Sequence, residues 1–147
     1  MRKHTKRKVY RANHPLKDKI ILDHLDKTIR DLKIRFYLAS DGDDATPYLA
    51  ELAHVLTPIC VGGSIQFGRE TPWVRQLHGA LRTLQAMCLD GYRWNAANAA
   101  PLNAALEVAL ANMRVVDLKP LMQGIEEGVV FASYISNHLV TKETVSS

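Results

Sequence analysis

Apolar side chains in this 147-residue chain recur at spacings of three and four, and almost nowhere at two. Val74, Leu77, Leu81, Leu84 and Cys88 run three, four, three and four; Ile21, Leu25, Ile29, Leu32 and Phe36 run four, four, three and four. Each set puts one apolar stripe on one side of a helix of period 3.6, with charged residues such as Asp23, Lys27, Arg30 and Lys33 on the other. Only Ser64 to Gly68 has any strand flavour, and it is too short for a sheet. The pattern predicts an all-α chain, a compact antiparallel bundle of about five helices.

Proline and glycine divide the pattern. The first helix is expected at about 16–39, with Asp23–Lys27 and Asp26–Arg30 as acid-first pairs one turn apart. Thr46-Pro47 reads as N-cap and first helical residue of a second helix carrying Leu49, Leu52, Ala53, Leu56 and Ile59. Pro58 is expected to end or kink that helix, and Gly62-Gly63 to complete the stop. Thr71-Pro72 repeats the start signal for a third helix over about 72–90. Pro101 opens a fourth, with Leu102, Leu106, Ala109, Leu110 and Met113 inward. A fifth runs from Asp117 to about His138 with Pro120 in its first turn. Gly124 and Gly128 lie inside it, read as mild local weakness, the alternative being a close crossing with another helix. The domains are then a basic arm at 1–14, one bundle at 15–139 and a frayed tail at 140–147.

Charge is distributed unevenly. The chain carries 19 Lys+Arg and 15 Asp+Glu, a formal +4. Residues 1–19 hold eight bases against Asp18 alone, a net of +7, so residues 20–147 with 11 bases and 14 acids carry −3. The arm has only Val9 and Tyr10 to bury, too little to offset the entropy of ordering it. Arg2, Lys3, Lys6, Arg7, Lys8 and Arg11 suit salt-sensitive attraction to RNA or DNA, and Tyr10 is placed to stack on a base. Lys27, Arg30, Lys33 and Arg35 extend that character into the first helix. A solubilising tail, or an arm that docks on an acidic protein groove, is the rival reading. A protein interface has its own candidates in Arg69, Trp73, Tyr92, Arg93 and Trp94, residue types common at hot spots. Trp73 equally suits a helix-entry residue packed on the core.

Catalytic templates fit poorly. Cys60 and Cys88 sit among apolar neighbours and read as small buried hydrophobes. The six histidines form no His-x-x-x-His pair. Asp41, Asp43 and Asp44 lead straight into Thr46-Pro47 and cannot complete an EF-hand loop. Gly62-Gly63-Ser64 lacks the strand and the lysine of a P-loop. An enzyme with an unrecognised site stays the third alternative, and no cofactor or metal is expected. The N-terminus lacks the apolar stretch of a secretory signal, and Asn95 to Val116, taken as the longest weakly polar run, contains Glu107 and Arg114. A soluble, cytoplasmic protein with no membrane span is expected.

Arg2 to Val9 (Arg-Lys-x-x-x-Arg-Lys-Val), Asn13-His14-Pro15, Ala45-Thr46-Pro47 followed by Leu52-Ala53, and Gly91-Tyr92-Arg93-Trp94 resemble a group of small phage and prophage proteins. Pro58 departs from that group's pattern, which favours a helix former there. The resemblance implies an accessory gene product in a bacterial host cell. Proteins of that kind often act by binding and blocking a host complex, defence complexes included. The expected partner is thus a host or phage protein complex.

Overall fold

The computed structural model describes the backbone of residues 15–38, 46–89 and 96–146, and the side chains of 19–38, 48–88 and 97–137. Five helices follow in order: α1 (Pro15–Leu38), α2 (Thr46–Phe67), α3 (Pro72–Leu89), α4 (Ala96–Asn112) and α5 (Leu118–Ser146), with a 3-10 turn at Met113–Val115 before α5. No strand occurs among the described residues, and the all-α bundle read from the spacing is the fold.

The expected stripes form the core. Leu25, Ile29, Leu32 and Phe36 of α1, Val74, Leu77 and Leu84 of α3, and Leu102, Leu106, Ala109 and Met113 of α4 are all buried. At the centre lies α2, which touches each of the other four helices and has its longest contact with α5. Burial of Leu49, Leu52, Val55, Leu56, Ile59 and Cys60 leaves it little solvent face. Tyr48–Phe67 is also the one described helix long and apolar enough to cross a membrane. The sequence reading takes 95–116 as the longest weakly polar run; the structure shows Tyr48–Phe67 to be the helix that meets the length and apolarity of a span. In the bundle most of α2's surface is covered by protein, as a helix apolar on all sides requires.

Several boundaries correct the sequence reading. Neither Pro58 nor Gly62-Gly63 ends α2, which continues to Phe67. The glycines are contact points: a Cβ on Gly62 would meet the Leu121 backbone at 3.3 Å, and one on Gly63 would lie 2.8 Å from Trp73 Cζ3. The stop comes at Gly68, whose φ of +103° suits a residue with no Cβ. Its N–H donates to the Ser64 carbonyl at 3.0 Å, and the Thr71 hydroxyl donates to the Phe67 carbonyl at 3.0 Å, closing a tight turn into α3. Pro101 does not open α4 but sits inside it. As the sixth residue of α4 it lies past the first turn, so its missing N–H takes the usual helix donor away from the Ala97 carbonyl. The helix of α5 runs on to Ser146, through the segment expected to fray. Gly124 and Gly128 take the alternative reading, a close antiparallel crossing with α2. A Cβ on Gly124 would overlap the Pro58 carbonyl, and one on Gly128 would touch the Ala53 oxygen at 3.4 Å.

One buried polar side chain fastens this arrangement. Gln66, in the last turn of α2, accepts the Asp117 N–H on Oε1 at 2.7 Å and donates from Nε2 to the Val115 carbonyl at 3.3 Å. Both backbone groups lie between the 3-10 turn and α5, where no helix partner exists for them. The Asp117 carbonyl then accepts from Leu121 N–H at 3.1 Å, setting the first turn of α5.

Candidate partner-binding surface

The basic residues of α1 are largely neutralised within the bundle. Arg30 bonds Asp26 one turn back, Lys33 reaches Glu107 on α4, and Arg35 bonds Glu51 on α2 at 2.8 Å. The expected Asp23–Lys27 pair gives way to Lys19–Asp23 at 2.8 Å, with Arg114 approaching both Asp23 and Asp26 at about 3.5 Å. The Arg30 hydrogen bond and charge, helped by Arg114, hold the Asp26 carboxyl below its ordinary range against the raising effect of burial. Such exposed pairs add little stability each, yet they cancel charge. Of the four α1 bases predicted to continue a nucleic-acid surface, three are thus spent on carboxylates.

The free positive charge of the described bundle gathers elsewhere. Across Pro72–Leu89, α3 contains no Asp or Glu. Arg75, His78 and Arg82 project along one of its faces, and Arg69 joins them from the α2–α3 turn. With Glu70 and Gly79 they line a concavity of about 390 Å³. Among the described residues, no ion pair or side-chain hydrogen bond engages Arg69, Arg75 or Arg82. Three guanidiniums against the Glu70 carboxylate leave +2 before His78 is counted.

Gly79 forms the floor of this concavity. It is exposed in mid-helix, and nothing lies within 4 Å of where its Cβ would be. Glycine there costs a helix about 1 kcal/mol relative to alanine, and no close packing accounts for it, unlike at Gly62, Gly63 and Gly124. What it does is lower the surface between the flanking side chains and open the helix backbone to an approaching group. Thr83 donates to the Gly79 carbonyl at 3.2 Å, which keeps that turn tied.

Arg69 and Trp73, paired in the sequence reading as interface candidates, part company. Arg69 is exposed, whereas Trp73 packs against the core and meets Phe67 edge-on, centroids 5.8 Å apart. Tyr92, Arg93, Trp94 and the arm residues Arg2, Lys3, Lys6, Arg7, Lys8, Tyr10 and Arg11 lie outside the described residues. Arg75, His78 and Arg82 are the members that sequence reasoning missed. The signal was available in a third helix that carries bases and no acid.

Two further concavities are apolar. One of about 570 Å³ lies where α1, α2 and α5 meet, lined by Ile20, Ile21, Leu25, Val55 and Ile125 with His24 and His54 at its edge. The other, about 400 Å³, is bordered by Val130, Phe131 and Tyr134 of α5. Cys60 and Cys88 are both buried free thiols. Among the described residues no group of three or more His, Cys, Asp or Glu is placed to hold a metal ion. Comparison with protein-family models, curated proteins and solved structures found no match.

Proposed function

We propose that the chain is a non-enzymatic binding protein that takes an anionic macromolecular partner on the α3 face. The context is that of a phage or prophage accessory protein in the cytoplasm of a bacterial host. The observation that carries this is one contrast: the α3 arginines are free while most α1 bases are paired. A guanidinium is weakly hydrated and presents a fixed fork of donors, so a partner's phosphates or carboxylates replace its water at low cost. The strongly basic arm adds long-range attraction and speeds encounter. The partner is a host or phage complex, defence complexes among them, that presents an anionic surface made of acidic side chains or of the phosphates of a nucleic acid it carries. Covering that surface blocks whatever ordinarily engages it.

The test is fluorescence anisotropy of labelled heparin, a generic polyanion, titrated with the full chain at low salt. R69E/R75E/R82E and K27E/R30E/K33E change net charge equally. The first set is expected to cut affinity at least tenfold and the second far less. Equal losses would reduce the interaction to bulk charge and sink the α3 assignment.

A further inference from the structure

We infer that the α3 concavity is a phosphate-backbone site, which takes the sugar–phosphate strand of RNA or DNA without reading its bases. This rests on the α3 face being where an anionic partner docks, and names the chemistry of that partner.

Spacing along the helix favours a strand. Arg75 and Arg82 are seven residues apart, a rise of about 10.5 Å. That sets their guanidiniums far enough apart to take separate phosphates of one strand rather than share one, with His78 between them as a further N–H donor. Arg69 extends the row from the turn. Each fork can hold two oxygens of one phosphate. The exposed amide of Gln76, the residue after Arg75, is a further donor beside this face. The Gly79 floor admits the bulk of a phosphodiester where any side chain would stand in its way.

The one aromatic of α3, Trp73, is packed on Phe67 and over Gly63, so among the described residues this face offers no free ring for a base to stack on. Binding therefore depends on charge and scales with the number of phosphates neutralised. Glu70 is the one carboxylate at the rim, and it weakens the site's hold on any anion on its side.

Full-length wild type and R69Q/R75Q/R82Q are titrated against random-sequence single-stranded DNA, RNA and duplex DNA between 50 and 200 mM salt. Poly-L-glutamate and inorganic phosphate serve as competitors at matched ionic strength. Three phosphate contacts predict a salt slope shallower in the variant by about 2 on single strands and about 2.7 on duplex. On single strands the wild type should therefore lose about 16-fold more affinity than the variant across that salt range. Equal slopes overturn the inference. So does loss of poly-L-glutamate binding with nucleic-acid binding intact, which makes the partner an acidic protein and leaves the α3 docking face standing. Full competition by millimolar inorganic phosphate overturns it too, by making the ligand a small anion. Failure of every polyanion to bind removes the docking face along with it. Circular dichroism melting confirms that the exposed substitutions leave the bundle folded.

Discussion

Gly124 of α5 lies so close to Pro58 of α2 that a Cβ would stand 2.6 Å from the Pro58 Cα and overlap its carbonyl. Both obstacles are backbone, so neither can rotate away. Gly124→Ala must push the two helices apart along their longest contact, and should cost about 2–3 kcal/mol, the upper range for overpacking. Gly128→Ala meets the Ala53 oxygen at 3.4 Å, an ordinary contact. Its gain of about 1 kcal/mol in helix propensity offsets the crowding, so it should be near neutral. Urea denaturation of the two variants checks this, and equal stabilities would refute the close crossing.

Gln66 bonds two backbone groups at the entry to α5, the Val115 carbonyl and the Asp117 N–H. Gln66→Leu keeps most of the volume but strands the Val115 carbonyl and the Asp117 N–H. An unmet buried group costs about 1–3 kcal/mol. Both bonds here are only part-buried and Val115 is exposed, so water replaces part of what is lost and the variant should lose about 1–2 kcal/mol. Amide hydrogen exchange gives the local readout. The Asp117 N–H, protected in the wild type, should exchange far faster in the variant than the amides of mid-α3.

Cys60 supplies a pH dependence of known sign. Burial, and to a lesser degree the Glu127 charge, push its thiol from 9.0 up to about 11. The Sγ also faces the Val74 carbonyl at 3.8 Å, an acceptor a thiolate would repel. Between those two values the unfolded chain has lost the proton and the folded chain keeps it. Stability therefore falls as pH rises through that window, by up to about 2–3 kcal/mol. Cys60→Ala should lack this component of the alkaline decline. Native wild type should also resist iodoacetamide at Cys60 at pH 8 and react once unfolded.

The helices were legible in the sequence because their stripes have the helix period, and each stripe's neighbours are buried in the order the spacing gave. The course of α2 was not. Pro58 and Gly62-Gly63 are stop signals by local propensity, and only the arrival of α5 and Trp73 from far along the chain turns them into contact points. The same long-range origin hides the crossing at Gly124. For the surface, counting charges drew attention to α1, whose cancelling partners Glu51 and Glu107 lie on other helices. Those two pairs are tertiary, and spacing on one helix shows only the local Asp26–Arg30 pair. The absence of acids from α3 was in plain view, but its meaning depended on knowing that no neighbouring helix supplies them.

Gly79 separates the stability of the fold from the work of the surface. With open space around its Cβ position, Gly79→Ala should stabilise the bundle by about 0.5–1 kcal/mol, or about 2–4 °C in Tm for a chain of this size. Gly79→Leu should fold at least as well as wild type, since leucine is a good helix former and clashes with nothing. Its side chain, however, fills the floor between Arg75 and Arg82 and keeps a phosphate from seating against the helix. Affinity for single-stranded DNA at 50 mM salt should fall about tenfold, with melting unchanged or raised. A more stable protein that binds less well is an outcome that no general weakening of the fold produces. Undiminished binding by Gly79→Leu would mean that the glycine is no part of the surface the arginines make.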